Sequence, residues 1–251
     1  MNPVTSADAE NLFLSLRKVV RNLDNVKMVS CPPSIYLPLM KGSIVKNKYM
    51  LGSQNCHTKN EGSFTGEIST AMLSDMGVEY VILGHSERRD IDSHETIAEK
   101  ISTCLQNGLK PIIVLGEEER DSKGMWRRDL ARIFKILFKK VPKKYLAEII
   151  IAYEPVWAVG AKSKRVAKPE EFVEARDVIK KQLLLKYKTE KEISKVPILY
   201  GGSIDDKNVE EFLDVDADGF LLGRASLDPR VLSVIVRATD RLNTEENEGE
   251  F

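Results

Sequence analysis

Four places in the chain put groups capable of proton or anion chemistry directly behind a short apolar run. Residues 80–83 are followed by Gly84-His85-Ser86-Glu87-Arg88-Arg89, and 149–153 by Glu154-Pro155-Val156-Trp157-Ala158-Val159-Gly160. Residues 197–200 are followed by Gly201-Gly202-Ser203, and 220–222 by Gly223-Arg224-Ala225-Ser226. A carboxylate at the end of an apolar strand is partly desolvated, which raises its pKa toward that of a useful general base. The plainer alternative for Glu154 is a surface glutamate at a strand end. His85 stands open between proton chemistry and packing as a core histidine. The glycines let backbone approach a ligand closely, and Ser203 and Ile204 are expected to begin a helix whose N–H groups and dipole suit phosphate. One glycine pair is an ordinary tight turn; two such turns in consecutive units favour an anion site. His57 and His94 lack such settings and read as surface residues. Trp157, between Val156 and Ala158, reads as the hinge of an apolar lid.

The elements that must position these groups are legible as alternation. Apolar or β-branched runs fall at 26–31, 49–54, 80–83, 111–115, 149–153, 197–200 and 220–222. They are too short for helices and lack polar alternation, as strands buried on both faces do. Between them lie helical patterns: Leu12, Leu16, Val19 and Leu23; Leu130, Ile133, Phe134 and Leu137; Phe172, Ala175, Ile179 and Leu183. Strand–helix alternation implies parallel βαβ units, and in a parallel barrel the reactive groups sit on loops after the strands. Seven strands are counted, and the chain opens with a helix for which Thr5, Ser6 and Asp8 supply N-cap chemistry. The segment 123–144 is strongly basic, but apolar residues interleave at helical spacing, so a solvated helix face is expected. No linker divides the chain, so 1–241 is read as a single domain and 242–251 as an acidic, disordered tail.

Composition excludes several classes. The 251 residues carry 38 Lys plus Arg against 38 Asp plus Glu, a formal net charge of zero, which argues against a nucleic-acid partner. With 42% hydrophobic and 30% charged residues the chain can fill a large core. No run approaches the roughly 18 apolar residues that span a bilayer, so no membrane partner is expected. The three cysteines, Cys31, Cys56 and Cys104, include no CxxC, and neither a disulfide framework nor a zinc site is expected. A reduced, cytoplasmic compartment is the expectation.

The stretch 80–89 resembles the histidine motif of the triosephosphate isomerase family, and 152–160 resembles its catalytic-glutamate and lid signature. Gln54-Asn55-Cys56 with 62–68 is similar to that family's third loop, and 200–204 with 219–227 to its phosphate-binding end. The resemblance runs from Met1 to about Arg241. It implies a (β/α)8 barrel, the TIM barrel, and interconversion of dihydroxyacetone phosphate and glyceraldehyde 3-phosphate without cofactor or metal. Glu154 would be the base and His85, neutral, the electrophile, roles for which this family is itself the standard illustration. Gly160, Ser203, Gly223 and Arg224 would hold the phosphate, with a lid over 155–168 closing on it. Ser86 and Glu87 would support the site, and Val159 and Leu221 would flank the carboxylate. A homodimer is implied, with Thr65 entering the partner and Glu67 pairing with Arg88 across the interface.

The sequence departs from the family at four points. Arg224 stands where many members have glycine, Val114 replaces a common cysteine, and the lid is about two residues longer and more basic. The family begins with a strand ending Asn-x-Lys before Met-Asn; here Met1-Asn2-Pro3 stands first. The expectation is therefore a barrel whose first strand is missing from the N-terminus. Glu87 would lack its lysine partner, and two strand edges would stay unpaired. The alternative function is a catalytically impaired or non-catalytic phosphate-binding homologue. A different phosphate-sugar barrel enzyme ranks third, since it would not need the Glu154–Trp157 pattern beside His85.

Overall fold

Helix follows strand along the whole chain, and the sheet this produces is parallel throughout. The computed structural model describes residues 1–160, 163 and 165–248, with side chains described as far as 241. The strands are β1 Met28–Ser30, β2 Tyr49–Ser53, β3 Tyr80–Leu83, β4 Lys110–Leu115, β5 Ile150–Tyr153 and β6 Ile198–Tyr200, hydrogen-bonded in that order. The helices are α1 Ser6–Val20, α2 Leu37–Lys41, α3 Thr70–Asp75, α4 His94–Gln106, α5 Met125–Leu137, α6 Pro169–Tyr187, α7 Glu190–Ile193, α8 Val209–Leu213 and α9 Pro229–Glu248. This arrangement is that of a (β/α)8 fold.

The run at 220–222 does not make a seventh full strand. It contributes one parallel bridge, Tyr200 to Phe220, with Leu221 N–H donating to Tyr200 O at 2.9 Å. The run at 26–31 shortens for a different reason. The N–H groups of Asn25 and Val26 donate to the Asp240 carboxylate at 2.8 and 3.1 Å, so this end bonds to α9 instead of a neighbouring strand. Here α9 also packs on α1 and α8, which brings the helical layer back on itself.

Each strand splits its side chains between two cores, as a period of two requires. Tyr80, Ile112, Val114 and Ala152 pack inside the sheet with Ile82, Leu199 and Leu221. Val81, Leu83, Ile113, Leu115, Ile151 and Tyr153 face the helices. The helical patterns bury as expected: Leu130, Ile133, Phe134 and Leu137 on α5, and Phe172, Ala175, Ile179 and Leu183 on α6. Thr5 caps α1 by accepting from Asp8 N–H at 3.1 Å. The tail differs from expectation, because α9 carries helical backbone to Glu248; residues 249–251 lie outside the described residues. Among the described residues no helix is long and apolar enough to cross a membrane.

Candidate active site

The pairing of β4 with β5 continues past both strand ends. Glu154 N–H donates to Leu115 O at 2.9 Å and Val156 N–H to Glu117 O at 3.1 Å. Gly116 lies between these bonds, where a Cβ would stand only 1.9 Å from Glu154 O. Only glycine permits this approach, and it fixes the backbone from which the Glu154 side chain departs. Gly201 lies on the other side, where a Cβ would be 3.4 Å from Glu154 Cβ, with its N–H bonded to Tyr153 O at 2.8 Å. The glycine turn after β6 is thus packed against the Glu154 backbone and Cβ.

Glu154 is 2% exposed. Its Oε2 accepts Ser86 N–H at 2.9 Å, and its Oε1 accepts Ser86 Oγ–H at 3.0 Å and lies 3.2 Å from His85 Nε2. His85 caps the 3₁₀ turn Ser86–Arg88, accepting Glu87 N–H at Nδ1 over 3.3 Å. An N–H donor requires a lone pair at Nδ1, which leaves the proton of a neutral ring on Nε2, directed at the carboxylate. Glu87 itself turns outward with its side chain 82% exposed, 4.0 Å from His85 Nδ1. Leu221 belongs to the inner core with Val114 and Ala152, beneath the carboxylate's strand.

The anion end is looser. Ser203 and Ile204 do not begin a helix. Asp205 accepts Lys207 and Asn208 N–H at 2.9 and 3.2 Å, making a side-chain turn that delays the helix to Val209. Asn208 Nδ2 instead fixes Ser203 O at 3.0 Å, and Ser203 Oγ donates to Ala158 O at 3.4 Å. Gly223 and Arg224 open the 3₁₀ turn Arg224–Leu227 and are exposed. The N–H groups of Ser203 and Gly223 have no acceptor among the described residues. Gly160 is also exposed, at φ 72°, with Val159 half-buried before it. Within the lid, Ala161, Lys162 and Lys164 lie outside the described residues.

A second buried carboxylate, which the sequence reading did not single out, ties the end of β5 to the segment that follows it. Glu117, 1% exposed, accepts Tyr153 O–H at 2.8 Å and Trp157 Nε1–H at 3.0 Å on one oxygen, and its other oxygen has no partner among the described residues. Arg120 Nη1 lies 3.5 Å from Glu117 and Nη2 2.6 Å from Glu174, with the guanidinium 3.8 Å over the Trp126 ring. Burial first, and Glu117 second, push the Tyr153 hydroxyl well above its usual pKa, so it remains a donor. Ahead of α6, Arg165 makes a two-pronged pair with Glu171, 2.6 and 2.5 Å, and lies 4.3 Å over the Trp157 ring. Trp157, expected as a lid hinge, is buried and bonded to Glu117. The signal for Glu117 was available: Leu115-Gly116-Glu117 repeats the strand–glycine–polar device of the other units.

Other expected residues fall apart from this centre. Thr65 is exposed on a loop whose base is closed by His57 N–H to Ile68 O at 2.8 Å. Glu67 lies 3.3 Å from His57 Nδ1, and Arg88 Nε 3.0 Å from Asp92, both within the chain. His57 and His94 are half-buried, not surface residues; His57 rests against Phe64 with ring centroids 4.4 Å apart. Among the described residues no three His, Cys, Asp or Glu side chains gather as a metal site would require.

The model of the family described as triosephosphate isomerase matches residues 1–239. The chain belongs to the triosephosphate isomerase family. It is 40% identical over 241 residues to the triosephosphate isomerase of Aquifex aeolicus, covering 92% of this chain and 94% of that protein. It is 37% identical to the cytosolic triosephosphate isomerase of Oryza sativa subsp. japonica over 88% of this chain and 86% of that one. The triosephosphate isomerase of Dictyoglomus thermophilum is also 37% identical, over 93% and 94%. The protein is accordingly an isomerase, and the four motifs follow the C-terminal ends of β3, β5 and β6 and the run at 220–222.

Proposed function

We propose that the chain interconverts dihydroxyacetone phosphate and D-glyceraldehyde 3-phosphate through an enediolate, in the cytoplasm, as a step of glycolysis and gluconeogenesis. The observation that carries this reading is the 3.2 Å approach of His85 Nε2 to Glu154 Oε1, with Nδ1 already occupied as an acceptor. Glu154 removes a proton from the carbon beside the carbonyl. To do so its Oε1 gives up the bonds to Ser86 Oγ and His85, a modest cost that substrate contacts replace. His85 Nε2–H then faces the substrate oxygens, stabilises the developing enediolate and passes a proton between them. Only protons move, so the proposed steps call on no cofactor or metal.

Backbone amides of Gly160, Ser203, Gly223 and Arg224 bind the phosphate; Arg224 takes part through its main chain, so the side chain it carries where many members have glycine does not prevent this. The lid at 155–168 closes over the intermediate and excludes water, with Val159 and Leu221 pressing the carboxylate toward the reacting carbon. We also infer a homodimer through the loop bearing Thr65, supported by exposed apolar Phe64 on it and Met72 just after it. A Glu67–Arg88 pair across that interface must share Glu67 with His57 and Arg88 with Asp92.

A coupled assay with either triose phosphate tests the reaction directly, beside titration with a phosphoglycolate-like dianion. Turnover abolished by Glu154→Gln is the expected result. Dianion affinity without turnover in the full chain would instead identify a non-catalytic phosphate binder.

A further inference from the structure

Cys56 and Cys104 are 48 residues apart, yet their Sγ atoms lie 3.5 Å from each other, with the two residues 1% and 0% exposed. Neither takes part in the proposed chemistry. Cys56 stands at the root of the 57–68 loop, and Cys104 faces it from α4. Bonds on both sides hold the two backbones in register. Lys100 Nζ donates to Asn55 Oδ1 at 3.0 Å, Thr103 Oγ1 to Thr58 O at 3.0 Å, and Asn60 Nδ2 to Asn107 Oδ1 at 3.0 Å. A disulfide holds its sulfurs about 2.0 Å apart, so bridging asks them to approach from 3.5 Å between segments already held together on both flanks.

We propose that Cys56 and Cys104 form a dithiol–disulfide couple, oxidised by a small disulfide such as oxidised glutathione, which fastens the root of the 57–68 loop to α4. The exchange balances as written. One protein thiolate attacks a sulfur of the small disulfide and expels its first thiol; the second protein thiol displaces the other. Two S–H bonds become one S–S bond, and the two electrons and two protons leave on the two released thiols. The contact with Cys56 and burial push the Cys104 thiol up, so the closed pair reacts slowly. Cys31 is buried elsewhere, with its thiol pushed up to about 12 mainly by burial, and serves as an internal reference.

The folded full-length protein is incubated with oxidised glutathione, and separately refolded in a glutathione buffer, then denatured with an alkylating agent and mass-measured. The expected product has one alkylated thiol, at Cys31, and a linked pair of peptides containing Cys56 and Cys104. Its unfolding midpoint exceeds that of the reduced protein by roughly 5–10 °C. Cys31→Ser behaves as the parent does, whereas Cys104→Ser gains no stability. Three alkylatable thiols under both regimes overturn the proposal, as do a bridge involving Cys31 and oxidation that stops at a glutathione adduct on Cys56. The readouts involve no turnover, so the inference stands or falls apart from the proposed isomerisation.

Discussion

Glu154 and Glu117 are carboxylates on adjacent strand ends, equally buried, and they differ in what holds them. Glu154 is held by a serine and by an imidazole that carries its proton on the facing nitrogen. These donors can release it, and one of them can itself trade protons. Glu117 is held by a tyrosine hydroxyl and an indole N–H, neither of which exchanges protons near neutral pH, on rings wedged into the helix-facing core. Burial alone therefore does not mark a catalytic acid or base. The donors decide whether a buried carboxylate is poised to act or committed to holding two segments together.

Substitutions should separate the two roles. Glu154→Gln is expected to lower kcat by about 10³–10⁴ with little change in unfolding midpoint, measured by coupled assay and thermal melting. His85→Gln should cost about 10²–10³ in kcat and abolish any limb of the pH–rate profile that reports imidazole. Glu117→Gln should show the opposite pattern. It unsettles the Tyr153–Trp157 contact and lowers the unfolding midpoint by about 3–8 °C, while kcat falls less than tenfold. Ser86→Ala leaves the Ser86 N–H bond in place and should lower kcat/KM only about three- to tenfold. A fall in Glu117→Gln as deep as that of Glu154→Gln would erase the distinction.

The smallest effect concerns acid. The Arg165 side chain, bonded to Glu171, holds that carboxyl below its ordinary range. A depressed folded-state pKa gives stability that is present above the unfolded value, about 4.3, and is lost as pH falls through the folded one. Arg165→Met should therefore be less stable than the parent at neutral pH, with the gap closing in that acid window in pH-dependent melts.

Much of this was legible because apolar runs buried on both faces leave little choice of structure. The run at 80–83 became β3 residue for residue, and reading the positions after two runs singled out His85 and Glu154, which lie 3.2 Å apart. What escaped were outcomes of competition between side chain and backbone. Asp205 captures the amides that would have begun a helix at Ser203. Asp240 captures those that would have lengthened β1. Glu117 escaped because its partners, Tyr153 and Trp157, are ordinary core residues until the fold makes them donors. The Cys56–Cys104 contact escaped for a similar reason, since separation in sequence carries no trace of the loop lying along α4.

The Asp240 carboxylate has a consequence for synthesis. It binds the turn ahead of β1 across more than two hundred residues of chain, 216 in the case of Asp24. During translation β1 is made more than two hundred residues before the group that satisfies the amides leading into it. Until α9 leaves the ribosome those amides must rely on water, so consolidation of this strand waits on a helix synthesised long after it.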